Sequence, residues 1–140
     1  MARKSSVSIL CDGCWGTALA LVNARKGNQV LLWSAFPDYA GVLDRKRENE
    51  KFLPGIRIPN TVTITSDLSK AVTFGEILVL AVPSQFLRNI LFKLRDFDLS
   101  QKILVSVAKG IENKTLALPS EIIFSVLGKV NLVVLSGPSH

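Results

Sequence analysis

The sequence predicts an α/β protein, a doubly wound and mainly parallel sheet of about six strands with helices on both faces. Three observations predict it. Residues 7–27 read as strand, glycine turn and helix. Two later runs, Glu76 to Val82 and Ile103 to Ala108, are of the continuous apolar kind that a parallel sheet buries on both faces. Helix-compatible segments alternate with the strand-compatible ones along the chain.

The first unit carries the strongest local signal. Val7 to Leu10 is β-compatible, Gly13 and Gly16 make a tight turn, and small residues open a helix expected to keep Ala18, Leu19 and Val22 on one face. At such a junction glycines let the backbone approach a ligand, while the free N–H groups and positive dipole of the helix start attract a phosphate. Arg25 and Lys26 suit the negative end of the helix, and Gly27 suits a left-handed cap. The pattern departs from a full G-x-G-x-x-G, because Cys11 holds the first glycine position and Asp12 brings a carboxylate close to where a diphosphate would lie. The same residues spell Cys11-Asp12-Gly13-Cys14, a C-x-x-C at a helix start, so a dithiol redox reading competes with one in which two unpaired thiols fill a turn. No metal is expected, since structural zinc needs four ligands and the chain has two cysteines and the single His140.

Bulk properties narrow the class. With 140 residues, 48% of them hydrophobic and 20% charged, the chain is the size of one soluble domain, and residues 1–140 are expected to form a single dinucleotide-binding unit. No apolar run approaches the roughly 18 residues of a membrane helix, and the one after Arg3 and Lys4 is broken at Asp12, so a cytoplasmic protein without a membrane partner is expected. Two cysteines close in sequence make no disulfide framework, which suits a reducing compartment. The net charge of +6 is dispersed, and its only run, Arg45-Lys46-Arg47, reads as a solvated helix face, so no nucleic-acid partner is expected. Positive charge also favours anionic small molecules.

The remaining elements follow in order. Gln29 to Trp33 is a second strand, followed at Ser34-Ala35-Phe36 by neither an acidic residue for a ribose nor an arginine for a 2′-phosphate, which leaves NAD and NADP both open. Asp38, after Pro37, reads as a helix N-cap, and Tyr39 to Lys51 as a charged helix with a narrow apolar edge at Val42 and Leu43. Two prolines and a glycine are expected to forbid regular structure from Phe52 to Pro59. Thr61 to Thr65 is a β-branched strand, and Ser66 or Asp67 can cap a short helix to Val72. The strand ending at Val82 should lie beside the first, where Phe86 can cover a bound cofactor; alternatively Ser84 caps a helix with Phe86, Leu87, Ile90, Leu91 and Leu94 as its buried face. Lys109, with Gly110 behind it, stands at the carboxyl end of the next strand, where an ammonium can bind a phosphate or polarise a hydroxyl or carbonyl. Leu116 to Leu127 is a helix with Pro119 in its first turn, and Asn131 to Leu135 a sixth strand leading into Ser136-Gly137-Pro138-Ser139-His140. His140 reads as a terminal residue rather than a catalyst.

The ordered motifs Gly13-Cys14-Trp15-Gly16-Thr17-Ala18-Leu19-Ala20, Phe52-Leu53-Pro54-Gly55, Val82-Pro83-Ser84-Gln85-Phe86, Lys109-Gly110-Ile111-Glu112 and Ser136-Gly137-Pro138-Ser139 together resemble the N-terminal, Rossmann-like part of NAD(P)-dependent glycerol-3-phosphate dehydrogenases. The resemblance implies reversible hydride transfer between a nicotinamide, NAD or NADP, and carbon 2 of glycerol 3-phosphate, interconverting it with dihydroxyacetone phosphate and linking carbohydrate metabolism to phospholipid synthesis. It implies cofactor contacts at Gly13, Cys14, Trp15, Gly16, Phe86 and Lys109, and substrate contacts at Lys109, Gly137 and Ser139. Ala35 matches a cofactor-contacting position without the side chain usual there. The family's proton-transferring lysine lies in a helical domain after the Gly-Pro-Ser segment, beyond residue 140, so these 140 residues alone are expected to show no appreciable turnover. A homodimer is compatible with this, and apolar surface bared by a missing second domain would favour self-association.

Three readings therefore stand: the cofactor domain of such a dehydrogenase, a non-catalytic module that keeps the fold without the cofactor, and a dithiol redox protein.

Overall fold

Alternation of side chains along the central strands builds two cores, one on each face of a sheet. The structure, a computed structural model, describes residues 3–136. In chain order its elements are β1 (Ser6–Leu10), α1 (Cys14–Arg25), β2 (Gln29–Trp33), α2 (Pro37–Lys46), β3 (Glu48–Asn49), β4 (Leu53–Arg57), β5 (Val62–Thr65), α3 (Leu68–Phe74), β6 (Ile77–Leu80), α4 (Ser84–Leu94), β7 (Ile103–Ser106), α5 (Pro119–Leu127) and β8 (Asn131–Val134). Val7, Ile9, Val30 and Leu32 pack under α1 and α2 with Ala20, Leu21, Ala40 and Leu43. Leu10, Leu31, Leu78 and Leu80 face the other way, against Val72, Leu87, Leu91, Leu94, Ile122 and Ile123 of α3, α4 and α5. The sheet is thus doubly wound, as predicted.

Six strands pair in the order β5-β2-β1-β6-β7-β8, every neighbour parallel. The chain winds outward from β1 through β2 to β5, then returns to place β6 on the other side of β1, with Val7 opposite Ile77 and Leu10 opposite Leu80. Strand order therefore reverses between β1 and β6, where a crevice opens at the carboxyl ends of both strands. The ladder continues past the strand ends: Ala81 N–H donates to Leu10 O at 3.1 Å and Val107 N–H to Leu80 O at 3.2 Å. This carries β-like backbone toward the longer spans read from the sequence.

Several local expectations change. Helix α1 buries Gly16, Thr17, Ala20 and Leu21 rather than Ala18, Leu19 and Val22, because its smallest residues must face β1 for the helix to come close enough. Phe52 to Pro59 is not irregular: β4 pairs antiparallel with β3 in a small hairpin outside the main sheet. Pro54 and Gly55 are tolerated because the register shifts there and the hairpin has no second neighbour, while the Gly55 N–H donates to Glu48 Oε2 at 3.0 Å. Helix α2 is capped at Phe36 with Pro37 in its first turn, where a missing N–H costs nothing, so Asp38 is a first-turn acid rather than the cap. That helix ends at Arg47 in a left-handed conformation, short of Lys51. The Arg47 guanidinium is not solvated: it donates to Val62 O at 2.6 Å and Pro59 O at 3.2 Å and pairs with Asp44 at 2.6 Å, tying α2 to β5.

Asp67 does cap α3, its carboxylate accepting from Lys70 N–H at 3.2 Å. Pro83 rather than Ser84 caps α4, and α5 begins at Pro119 rather than Leu116, with Glu121 reaching back to the Leu118 N–H at 2.9 Å. Among the described residues no helix is long and apolar enough to cross a membrane.

Candidate functional site

Beyond Leu10 the backbone turns at Cys11 with φ +110°, a conformation that favours glycine. The turn thus keeps the geometry of a first glycine although a cysteine occupies it, and the strain of such a residue is of order 1–3 kcal/mol. Cys11 N–H donates to Trp33 O at 3.1 Å, which anchors the turn to β2. Gly13 is the N-cap of α1 in extended backbone, and a Cβ added there would meet nothing within 4 Å. Among the described residues no side chain caps α1 and no acid lies in its first turn, so the positive end of the helix is not neutralised there. Gly16 is the opposite case: a Cβ there would lie 2.2 Å from Cys11 O. One glycine keeps a space open, and the other lets helix and turn touch.

The diphosphate of a dinucleotide fits these residues, with an open glycine and an uncapped helix start at the point where strand order reverses. Asp12, in the same turn, is 6% exposed, its Oδ2 has no hydrogen-bond partner among the described residues, and its charge adds to the effect of burial in pushing the Tyr39 phenol up. Burial likewise pushes the Cys11 thiol up, partly offset by the neighbouring Gly13 and Asp12 amides. That is the wrong direction for the reactive thiolate at Cys11 that the dithiol redox reading calls for.

An amide missed in the sequence ties the turn to the hairpin. Asn49 is 1% exposed; its Nδ2 donates to Asp12 O at 2.7 Å and to Thr17 Oγ1 at 2.8 Å, while its Oδ1 accepts from Tyr39 Oη at 2.5 Å and from Phe52 N–H at 3.2 Å. Inside the polar run Glu48-Asn49-Glu50-Lys51 no apolar period marks it as buried.

Exposed aromatics stand after three neighbouring strands. Trp15 in the first turn of α1 is 48% exposed, Phe86 in α4 61% and Phe36 after β2 70%. Phe86 therefore does not belong to the buried face of α4, which is Leu87, Ile90, Leu91 and Leu94. Ala35 is exposed with no side chain to offer, while Phe36 beside it was not singled out from the sequence. Cys14 is exposed at the start of α1. Lys109 lies after β7 on an exposed turn whose Gly110 has φ +84°, where a Cβ would stand 3.6 Å from Ser84 Oγ. Gly137, Ser139 and His140 lie outside the described residues.

The Lys109 loop is clamped to α4. Gln85 Nε2 donates to Ile111 O at 3.0 Å, Asn113 N–H donates to Gln85 Oε1 at 3.1 Å, and Arg88 makes two bonds of 2.9 Å to Glu112. Hydrogen bonds from Arg88 and Thr115 hold the Glu112 carboxyl down to about 2, below its ordinary 4.5. The contribution of this clamp to stability is therefore complete above pH 4.5 and fades as pH falls toward 2. Thermal denaturation of the wild type and Glu112→Gln across that range should show their difference in Tm shrinking with acidity; a difference constant with pH would contradict the assignment.

The sequence model described as NAD-dependent glycerol-3-phosphate dehydrogenase N-terminus matches residues 6–140. Among curated proteins, glycerol-3-phosphate dehydrogenase [NAD(P)+] of Pelodictyon phaeoclathratiforme is 44% identical over 138 residues, covering 96% of this chain and 41% of the relative. The protein of the same name from Chlorobium phaeobacteroides (strain BS1) is 45% identical over 137 residues, with 96% and 41% covered. The crystal structure of glycerol-3-phosphate dehydrogenase from Coxiella burnetii is similar with a TM-score of 0.89 and 32% identity, covering 98% of this chain and 42% of that one. The chain thus spans about 41% of the length of the curated relatives it matches.

Proposed function

This chain belongs to the family of NAD-dependent glycerol-3-phosphate dehydrogenase N-termini and is its NAD(P)-binding domain, and from that premise we propose that it serves the interconversion of glycerol 3-phosphate and dihydroxyacetone phosphate. The observation that carries the proposal is the uncapped start of α1 beside the open Gly13 at the strand-order reversal. When bound, the nicotinamide supplies or accepts the hydride. The chain's own residues bind and orient. The first-turn N–H groups of α1 hold the diphosphate, with Cys14 and Trp15 at its edge and Gly13 and Gly16 permitting the approach. Phe86 shields the cofactor from water on the α4 side, and the Lys109 ammonium neutralises the phosphate-bearing substrate, helped by Gly137 and Ser139. The reaction also needs a group to take the hydroxyl proton, worth about 10²–10⁴ in rate, and none of the residues given a role here is assigned that step. A cytoplasmic enzyme feeding phospholipid synthesis, acting as a homodimer without nucleic-acid or membrane partners, completes the proposal.

The test is direct. Titration with NADH or NADPH should quench Trp15 fluorescence, and Gly13→Val should abolish the response while Tm falls by no more than about 4 °C, because a Cβ there meets nothing within 4 Å and the change costs mainly the preference of the N-cap for glycine over valine. One observation favours a second reading, a member that keeps the fold without the cofactor: Asp12 is buried in the turn, with its Oδ2 unpartnered among the described residues. That reading predicts a folded protein silent to either dinucleotide at millimolar concentration.

A further inference from the structure

The Asp12–Gly13 peptide is held in one orientation by a side chain from outside the strand–turn–helix unit. Its carbonyl accepts from Asn49 Nδ2 at 2.7 Å and from Thr17 Oγ1 at 3.3 Å. In a planar trans peptide the C=O and the following N–H point in opposite directions. A carbonyl drawn inward thus turns the Gly13 N–H away from Asn49. It turns toward the side of Cys11, which packs against the core that includes Leu10 and Leu87, beside the point between β1 and β6 where strand order reverses. The amide acts on this peptide with little freedom of its own, since its oxygen is engaged by Tyr39 and by the Phe52 N–H, and its nitrogen by Asp12 and Thr17. Were the peptide to flip, a carbonyl would face the phosphate space and the α1 start would lose a donor. It would also set an oxygen lone pair against an anion.

The geometry points to Asn49 as a positioning residue for dinucleotide binding: through the hairpin β3–β4 it fixes the polarity of the turn that receives the diphosphate. This rests on the functional reading above. It makes the hairpin, lying outside the main sheet, part of the cofactor site without touching the cofactor.

Asn49→Asp tests it, because the carboxylate keeps the acceptor used by Tyr39 and Phe52 and replaces the donor that holds the Asp12 carbonyl. Tyr39→Phe is the control, losing the bond to Oδ1 and leaving both Nδ2 bonds. NADH affinity should fall about tenfold or more in Asn49→Asp, the loss of a hydrogen bond to a charged group, and stay within about twofold in Tyr39→Phe even if both variants lose thermal stability. In the unsubstituted chain the Gly13 amide ¹H–¹⁵N signal should move on adding NADH, and in Asn49→Asp it should no longer move. Asn49→Ala, which introduces no charge, takes the place of Asn49→Asp if the latter fails to fold. A folded Asn49 variant that binds NADH as tightly as the wild type overturns the inference. So does a wild type in which the Cys14 and Trp15 amides respond to NADH and Gly13 does not. A wild type with no response to NADH overturns the functional reading itself and this inference with it.

Discussion

Gly16→Ala should destabilise the protein by about 3 kcal/mol or more, the upper part of the range for overpacking, because the added methyl would stand 2.2 Å from a main-chain carbonyl rather than from a side chain able to move. Cys11 O belongs to a turn fixed to β2 through its own N–H, so relief requires α1 to lift away from β1. Helix α1 supplies Ala20 and Leu21 to the core over Val7 and Ile9, and that core opens with it. For a domain of this size the loss corresponds to a fall in Tm of about 8–12 °C, readable by circular dichroism, with the NADH response lost at 25 °C. A variant melting within about 2 °C of the wild type would show that turn and helix are not in the contact described. Gly13→Val predicts the reverse pairing of effects, an intact fold with an abolished response. Two glycines three residues apart are thus separated by experiment into one that packs and one that admits a ligand.

Cys11→Gly should do two things at once. Removing a side chain from φ +110° relieves strain of about 1–3 kcal/mol, offset by roughly 0.5–1 kcal/mol of extra freedom in the unfolded chain and by the loss of the partly buried thiol, for a net gain of about 1 kcal/mol. The larger effect is on binding. The Gly13 and Asp12 amides lie close enough to the sulfur to offset part of the rise that burial gives its pKa, and glycine removes a sulfur that competes with a phosphate oxygen for them. NADH affinity should rise about tenfold, the worth of one further bond between an amide and an anion. Fluorescence titration and calorimetry check both halves; a variant less stable than the wild type, binding no more tightly, would sink the argument.

Much of the fold is legible in the residues. Six strands and their parallel arrangement follow from runs such as Glu76 to Val82, which have no polar face to give to water. The turn at Gly13 and Gly16 is legible because only small residues serve there, and the exposure of Phe86 distinguishes the rim position from the buried-face alternative that spacing alone left open. What stays hidden depends on contacts between distant residues. Nothing near Asn49 foretells that it will meet Asp12, nor near Arg88 that it will meet Glu112 across 24 positions. The hairpin β3–β4 is hidden for another reason: Pro54 and Gly55 are strand breakers by propensity, and only a bulged pair with a free edge accommodates them. The buried face of α1 is misread because hydrophobicity marks Val22, whereas closeness to the sheet selects Gly16 and Thr17.

The central place of β1 also sets an order of events during synthesis. Val7 is opposite Val30 on one side and Ile77 on the other, so the strand made first acquires its second neighbour only when roughly half of these residues have been polymerised, several seconds later at about 5–20 residues per second. Until then the nascent turn has no crevice beside it, and Val7, Ile9 and Leu10 are exposed to chaperones and proteases. Substitutions in the buried strand β6 should therefore lower the cellular amount of the protein before they alter its chemistry.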